Sequence, residues 1–501
     1  MRRVLYVNWV DYLDSEQRGG GVSVYQRNLM AALDGMPGIE ATFLASGISH
    51  DIRRRPPRWE RIRHGPDLDR ARRYEIVNSG VLAPAHHSFG DPAQIEHAAT
   101  EAVFLDFLSA TGPYDAVHFN NLEGLPASVL RLKSVAPQTR VIVMLHNYYP
   151  ICPQVNLWYQ ERRSCADFEG GRACVHCLPH PPDARLIRLA NGVAYRLKCL
   201  GIAPGERGFD PLFRWGMQLL RRFRAARPGQ PAREPNERTG TATAEGFAAR
   251  RRAMIELLNT RCDAVLCVSE AVRTLALSYG IAPERARTCR IGTREAEAFA
   301  RTAPRGPLPG SDGTLTLAYL GYMRRDKGFF FLLDALEALP VPLARRLRLV
   351  VAARRGEDEA MRRLDALGAR LGGLTHLDGY SHDGLDALLA GVDVGVVPVL
   401  WHDNLPQVAI EMHARHIPLL CSDKGGAREL GNCPDMVFRA GDVAAFGDRI
   451  EFLLAGRLDI AAYWRGARAP VDMAGHLEEV LTHYGSAGER QKEQAHDTAQ
   501  P

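Results

Sequence analysis

The chain has 501 residues, of which 46% are hydrophobic and 24% are charged. This length exceeds the usual size of a single hydrophobic core, so we expect at least two domains. The 63 Lys and Arg residues nearly balance the 58 Asp and Glu residues, and a balance this even gives no support for nucleic-acid binding.

The N-terminal residues RRVLYVNWVDYL lead directly into charge and glycine rather than into the apolar core of a signal peptide. No apolar run is long enough to span a membrane. We therefore expect a cytoplasmic protein, in which the ten cysteines stay reduced.

Short apolar runs alternate with helical patterns along most of the chain. The strand-like runs are VLYVNWV, AVHFN, RVIVML and AVLCVS in the first half, and LTLAYLG, LRLVVAA, VDVGVVPV and IPLLCS in the second. Helical patterns such as VSVYQRNLMAAL, FFFLLDALEAL and GLDALLAGV lie between them. The alternation predicts an α/β protein with parallel sheets covered by helices.

The composition predicts two domains and a tail. An N-terminal domain, 1–300, precedes a C-terminal domain, 301–470, that begins near the Pro- and Gly-rich TAPRGPLPGSDG. A C-terminal helix at 471–485 and a disordered polar tail at 486–501 follow. An insertion at 180–250 includes RPGQPAREPNERTGTAT, which has the composition of a disordered segment.

The stretch WHDNLPQVAIEM places Asp403 and Glu411 on either side of a proline, directly after an apolar run. Asn404 is the predicted cap of a helix that begins near Pro406. Unpaired backbone N–H groups between the two acids form an anion site at the start of that helix.

This order of acid, anion site and acid matches the sugar, diphosphate and ribose of a nucleotide sugar. Two other interpretations remain open. Asp403 and Glu411 are a surface acid and an ordinary helix residue in the first, and Asp403 only caps the helix in the second.

A basic loop, GYMRRDKG, follows the first strand of the second half and contains Arg324 and Lys327. Cations in this position suit a diphosphate, although a basic loop is also typical of a solvated turn. Gly425 and Gly426 follow the IPLLCS strand and allow the backbone to approach a ligand closely.

Together these segments resemble the retaining glycosyltransferases of family four, the glycosyl transferases group 1. The resemblance covers roughly residues 1–178 and 250–485. It implies the GT-B fold, in which two Rossmann-like domains face a central cleft, and a C-terminal helix that returns to the N-terminal domain. The segments that carry it are GGGVSVYQRNLMAAL, YDAVHFNN, VIVMLHNYY, DAVLCVSEAV, GYMRRDKG, HLDGYSHDGLDALLAGVDVGVVPVLWHDNLPQVAIE and PLLCSDKGGAREL.

The resemblance also implies roles for individual residues in donor binding. The backbone of the glycine loop, Gly19 to Gly21, and Lys327 in the KG motif hold the diphosphate. Pro406, Gln407 and Val408 lie between the paired acids. Tyr322 stands where the family often has Arg, so we assign the second cation to Arg324. The donor-binding residues are Gly20, Gly21, Arg324, Lys327, Pro406, Gln407, Val408 and Glu411.

In the family the paired acids follow a Glu-x7-Glu pattern, with the first acid toward the donor sugar and the second on the ribose. Here the first acid is Asp403, one methylene shorter, and Glu411 matches unchanged. His146, at the end of RVIVML, matches the family histidine beside the donor sugar; alternatively it is a hydrogen-bonded histidine at a strand end.

The implied chemistry is transfer of a sugar from a nucleotide diphosphate sugar, with retention, to a glycan or lipid-linked glycan acceptor in surface polysaccharide assembly. The departing diphosphate takes the acceptor proton, and the protein stabilises the charge through His146, Asp403 and Lys327. No catalytic metal or other cofactor is expected. A GT-B nucleotide-sugar epimerase and a non-catalytic nucleotide-sugar-binding paralogue are the alternative functions.

Four cysteines lie in one loop, 152–177, after RVIVMLHNYYP. Their number and the closing Cys-x2-Cys predict a structural zinc site, with reduced packed thiols or a redox role as alternatives. A subset of the resembled family has a similar cysteine-rich loop here. The cysteines are Cys152, Cys165, Cys174 and Cys177.

The insertion contains DPLFRWGMQLLRRFRAARPG, in which apolar residues and arginines are interleaved. A basic amphipathic helix at 209–228 would lie in an anionic membrane surface, which predicts a peripheral location at the inner face of the membrane. The alternative is a helix packed on the N-terminal domain with its arginines in water.

Overall fold

The computed structural model describes residues 1–16, 18–178, 183–205, 208–215, 218 and 243–485. Within these ranges the protein contains two large sheets and a two-stranded ribbon. The strands are β1 (Arg2–Asn8), β2 (Ile39–Ser46), β3 (Arg58–Arg61), β4 (Arg73–Val77), β5 (Ala116–Phe119), β6 (Arg140–Leu145), β7 (Trp158–Tyr159), β8 (Arg163–Ser164), β9 (Ala264–Cys267), β10 (Ala286–Thr288), β11 (Leu315–Gly321), β12 (Leu347–Ala353), β13 (Gly373–Leu377), β14 (Val394–Val397), β15 (Leu419–Ser422) and β16 (Val437–Phe438).

The first sheet has eight strands in the order β10-β9-β6-β5-β1-β2-β4-β3. Only the edge strand β3 runs antiparallel to its neighbour. Apart from the first residues of β1 and β6, the central strands β1, β5 and β6 are buried and mostly apolar, as expected for a parallel sheet covered by helices. All four strand-like runs of the first half form strands of this sheet.

The second sheet has six parallel strands in the order β13-β12-β11-β14-β15-β16. The four strand-like runs of the second half form its central strands. Each large sheet has its own helices, so the mixed α/β architecture with two Rossmann-like domains is confirmed.

The helices alternate with the strands. They are α1 (Gly20–Asp34), α2 (Ala98–Thr111), α3 (Arg172–Val175), α4 (Ala184–Cys199), α5 (Ala244–Arg261), α6 (Glu270–Ser278), α7 (Ala296–Arg301), α8 (Phe329–Glu337), α9 (Val341–Ala344), α10 (Asp358–Arg370), α11 (Leu385–Leu389), α12 (Gln407–His413), α13 (Arg428–Gly431), α14 (Val443–Leu454), α15 (Ile460–Gly466) and α16 (Met473–Thr482).

The C-terminal helix α16 returns to the N-terminal domain. The hydroxyl of Tyr25, in α1, lies 2.7 Å from Nε2 of His476 in α16. Beyond the helix, the hydroxyl of Tyr484 lies 2.5 Å from Nδ1 of His118 on β5. These buried polar contacts fix the C-terminal helix against the first sheet, as the fold prediction required.

Much of the insertion and all of the tail lie outside the described residues. This applies to 219–242 and to 486–501, and therefore to most of the membrane-binding segment proposed at 209–228. Residues 209–215 are helical, with Phe209 buried and Trp215 exposed. In the parts of the chain that the structure describes, none of the helices combines the length and the apolar character that crossing a membrane requires.

Candidate active site

The candidate site lies where the two domains meet, at the carboxyl ends of strands from both sheets. One wall is the start of α1, where Gly20 has a left-handed φ of 52° and opens onto free space. The opposite wall is the start of α12. A Cβ placed on Gly21 would lie 3.3 Å from Cγ of Gln407, so the glycine loop faces α12 directly.

Lys327 and Asp403 form an ion pair at the centre of this region. Nζ of Lys327 lies 2.6 Å from Oδ2 of Asp403, and 5.0 Å from the ring centroid of Trp401. The Asp403 side chain is 9% exposed and the Lys327 side chain 26% exposed. The structure therefore brings together the predicted diphosphate cation and the predicted sugar-side acid.

Two glycines allow close contacts between the backbone segments around this ion pair. Gly328, after Lys327, has a φ of 76°, and a Cβ there would overlap the carbonyl oxygen of Pro398. Gly425 has a φ of 73°, and a Cβ there would overlap the carbonyl oxygen of Asp403. The Gly-Gly turn thus supports the Asp403 backbone, whereas the sequence alone predicts a close approach of this turn to a ligand.

The predicted helix cap at Asn404 is wrong. Helix α12 begins at Gln407 with Pro406 in the capping position, and no side chain caps it. Asn404 instead donates its side-chain amide to the carbonyl of Leu145 at 3.3 Å, across the domain boundary. Asp403 also makes no capping bond, so its interpretation as a cap is wrong too.

The turn at Asn404 and the nearby helix α13 make further hydrogen bonds to the N-terminal domain. Ser269, which caps α6, donates to the carbonyl of Asn404 at 2.8 Å. Glu429 accepts from the backbone N–H groups of Glu270 and Ala271 at the start of α6, at 3.1 and 2.7 Å. These contacts hold the segment that carries Asp403 against the N-terminal domain.

Glu411 lies in α12 and is buried, with a 2% exposed side chain. Its Oε2 accepts from the hydroxyl of Tyr380 at 2.7 Å, and Nδ1 of His382 lies 3.3 Å from Oε1. Burial raises the pKa of Glu411, with Glu295 adding to the effect. Sequence reasoning missed Tyr380 and His382, since they follow β13 and no spacing connects them with α12.

Arg324, the assigned second cation, has a carboxylate of its own. Its guanidinium makes two bonds to Asp326, at 3.0 and 3.1 Å, and its side chain is 59% exposed. Tyr322, where the resembled family often has Arg, is also exposed. The structure does not bring Arg324 into contact with the Lys327–Asp403 pair.

His146 follows β6 on the N-terminal side. Its Nε2 is enclosed and has no hydrogen-bond partner among the described residues. Burial, with a smaller effect of His476, lowers the pKa of His146 to about 3, so the imidazole is neutral at pH 7. The alternative of a fully hydrogen-bonded strand-end histidine does not describe this nitrogen.

Tyr25, which is hydrogen-bonded to His476, packs against the His146 ring. The rings of Tyr25 and His146 have centroids 4.7 Å apart. Because the Arg290 carbonyl accepts from Nδ1 of His476 at 2.7 Å, Nε2 of His476 accepts from the Tyr25 hydroxyl. The C-terminal helix therefore contributes to the position of His146, which the sequence alone did not indicate.

The four loop cysteines are all reduced thiols in the structure, and three of them are buried. Cys177 donates to the side-chain oxygen of Gln154 at 2.9 Å, and burial raises the pKa values of Cys174 and Cys177 to about 12. Within the described ranges no group of three or more His, Cys, Asp or Glu residues is arranged to hold a metal ion. The zinc site stays a prediction.

Comparison with known proteins finds a family model that matches part of the C-terminal domain. Residues 314–456 match the family model described as glycosyl transferases group 1. The match covers less than a third of the chain. The matched segment contains Lys327, Asp403 and Glu411. No curated protein matches the chain.

Similar solved structures cover both domains of the chain. Alr3699/HepE from Anabaena in complex with UDP is 13% identical over 96% of this chain and 99% of that chain, with a TM-score of 0.52. A UDP-forming α,α-trehalose-phosphate synthase from Burkholderia xenovorans is 13% identical over 96% and 98%, with a TM-score of 0.53. The corresponding α,α-trehalose 6-phosphate synthase from Burkholderia multivorans is 14% identical over 96% and 98%, with a TM-score of 0.50. The shared fold is GT-B.

Proposed function

We propose that the protein is a retaining glycosyltransferase of family four. It transfers a sugar from a nucleoside diphosphate sugar to a hydroxyl of a glycan or lipid-linked glycan, in the assembly of a surface polysaccharide. The observation that carries the proposal is the Lys327–Asp403 pair. The pair lies in the segment that matches the group 1 family model. It is near the start of α12, which faces the glycine loop.

Lys327 is the cation that binds the donor diphosphate. In the ligand-free protein Asp403 neutralises it, so an incoming diphosphate exchanges one anionic partner of Lys327 for another. Asp403 is thereby released toward the sugar hydroxyls. This exchange connects the diphosphate contact with the sugar contact, and it fits a site in which both ends of the donor are bound together.

Glu411 binds the ribose of the donor. A carboxylate has about four lone-pair positions, and the bond from Tyr380 uses one of them. His382 Nδ1 lies 3.3 Å from the other oxygen, and the positions that remain can accept the two ribose hydroxyls. UDP, found with the similar HepE structure, supports uridine as the first base to test.

His146 acts as a neutral hydrogen-bonding group beside the donor sugar. Its low pKa rules it out as a general acid near pH 7, and its unpartnered Nε2 is suited to a sugar hydroxyl. In the transfer step the bond from the anomeric carbon to the diphosphate oxygen breaks. The bond from that carbon to the acceptor oxygen forms on the same face, and the acceptor proton passes to the departing diphosphate.

The enzyme then acts mainly by stabilising the leaving diphosphate, with Lys327 and the backbone N–H groups of the glycine loop as donors. The test is to incubate the purified protein with UDP-, GDP- and ADP-sugars and glycan acceptors. NMR then gives the anomeric configuration of the product. Product with the donor's configuration supports retention, and inverted product contradicts it. Binding of nucleotides without any transfer would favour the non-catalytic paralogue.

A further inference from the structure

A cavity lies in the N-terminal domain, and neither Lys327 nor Asp403 lines it. This cavity has a volume of about 310 Å³ and is bounded by the loop after β1, the end of β2, strand β4 and the end of α4. Arg18 lines it and immediately precedes the glycine loop. Its size is at the small end of the range for small-molecule sites.

The walls of the cavity combine an aromatic ring with polar groups. Trp9, Ile48 and Ile76 supply apolar surface, and Ser49, His64 and Glu75 supply hydrogen-bonding groups. A flat apolar surface next to convergent polar groups suits a small ring that has both apolar faces and polar edges.

The fully charged cations in the wall are already paired. Arg18 donates to both carboxylate oxygens of Asp14, at 2.8 and 3.0 Å. Lys198 pairs with Glu16 and lies 3.9 Å from Asp14. Because carboxylates hold these cations, the cavity offers an anionic ligand little attraction.

One carboxylate oxygen of Glu75 has no hydrogen-bond partner among the described residues. The residue is 3% exposed, and its Oε2 accepts from the hydroxyl of Ser49 and lies 3.4 Å from Nε2 of His64. Its Oε1 is enclosed and makes no hydrogen bond to any described residue, with His64 Nε2 at 3.4 Å. A buried carboxylate oxygen without a donor is costly unless something else supplies one.

We propose that this cavity binds one neutral, unphosphorylated sugar ring of the acceptor, with Glu75 accepting from its hydroxyls and Trp9 packing on its apolar face. The assignment of this sugar to the acceptor rests on the proposed transferase function, whereas the binding of a neutral sugar does not. A sugar hydroxyl supplies the donor that Oε1 lacks, while a phosphate would add a second anion next to Glu75.

The experiment measures sugar binding without any nucleotide. Methyl glycosides of glucose, galactose, mannose and N-acetylglucosamine are titrated by ligand-observed NMR, with glucose 6-phosphate as the anionic probe. The variants are Glu75→Gln, which keeps the shape but exchanges one acceptor for a donor, and Ser15→Trp, which narrows the cavity at its exposed rim. Glu40→Gln, an exposed Glu on β2, is the matched control.

We expect at least one methyl glycoside to bind the native protein and Glu40→Gln equally, and at least tenfold more weakly to Glu75→Gln and Ser15→Trp. Should Glu75→Gln fail to fold, Ser15→Trp still decides the result. Tighter binding of glucose 6-phosphate than of methyl glucoside would overturn the proposal. Unchanged affinity in both cavity variants, or no sugar binding at all, would do the same.

Titration of UDP, GDP and ADP on the same samples separates this proposal from the proposed function. Binding of UDP without binding of any sugar overturns the cavity assignment and leaves the transferase intact. Binding of a neutral sugar by the native protein and its loss in the variants, without binding of any nucleotide, supports the cavity and counts against the transferase.

Discussion

The side-chain amine of Lys327 lies 2.6 Å from a carboxylate oxygen of Asp403. Both groups sit on loops that follow parallel strands, β11 and β14, and both depend on glycines at close backbone crossings. The ion pair means that the candidate donor site has no free Lys327 charge before the donor arrives. Each acid of the Asp403–Glu411 motif has its own partner, so the two acids are predicted to respond differently to substitution.

Gly425→Ala tests the scaffold beneath Asp403. The substitution places a side chain in a left-handed conformation and against the Asp403 carbonyl. Chemical denaturation should show a free energy of unfolding lowered by about 1–2 kcal/mol from conformational strain, with roughly 1–3 kcal/mol more from the overlap. Gly441→Ala has the same strain, with a φ of 77°, but only Leu400 at 4.0 Å, and serves as the control. Equal losses in both variants would mean that the close approach to Asp403 contributes nothing.

Glu411→Gln tests the ribose contact. The change keeps the shape of the side chain but replaces one acceptor oxygen with a donor, so calorimetry should show about tenfold weaker binding of UDP, or about 1.4 kcal/mol. Tyr380→Phe removes the hydroxyl that already uses one position on Glu411, and affinity for UDP should stay the same or rise slightly. A lower melting temperature with native UDP affinity in Glu411→Gln would assign Glu411 to the fold alone.

The stability of the protein should depend on pH through His476. Burial lowers its pKa to about 4, although the Arg290 carbonyl opposes the shift. The folded protein therefore favours neutral His476, and on acidification the unfolded chain takes up the proton first, near pH 6.5. The contribution is fully present above that pH and is lost as pH falls toward about 4, at about 1.4 kcal/mol per pH unit.

Denaturation curves between pH 7 and 4 measure this slope. His476→Gln should make it shallower, because the glutamine amide can still bond Tyr25 but does not titrate. A native slope in His476→Gln would assign the acid sensitivity to other groups.

The zinc prediction is tested by elemental analysis. Protein purified without added metal should contain about one zinc per chain. The double variant Cys174→Ser, Cys177→Ser should lose the metal and unfold more readily, since zinc binding contributes to folding. Cys433→Ser, at a cysteine outside the loop, should keep it. If the native protein contains no zinc and its cysteine loop is nevertheless fully folded, the four cysteines are reduced, packed thiols instead.

The sequence predicted eight strands correctly because central parallel strands are continuous apolar runs. It did not predict β4, since the run Arg73–Val77 contains two charged residues, and both are buried through partners far away in sequence. Arg73 pairs with Asp11, and Glu75 bonds Ser49. Local patterns carry no information about such partners.

The candidate site, too, could be predicted only in part from the sequence. The spacing of Asp403 and Glu411 and the position of Lys327 could be found in the sequence because each follows a strand end. The Tyr380–Glu411 bond, the support of His146 by Tyr25 and the packing of Gly425 on Asp403 could not. Each of these contacts connects segments that meet only when the strands of a sheet are ordered, and that order is not written in any local run.

The most direct test of the account is the affinity for UDP of Lys327→Ala, Arg325→Ala and Asp403→Asn, measured by calorimetry beside the native protein. Arg325 is an exposed cation in the same loop that stacks on Phe330, and its variant is the matched control. We predict at least tenfold weaker binding in Lys327→Ala and little change in Arg325→Ala. Asp403→Asn should bind UDP as well as native protein or more tightly, because the diphosphate no longer competes for Lys327, while turnover of the UDP-sugar falls. Native affinity in Lys327→Ala, or equal losses in Lys327→Ala and Arg325→Ala, would contradict a donor site built on the Lys327–Asp403 pair.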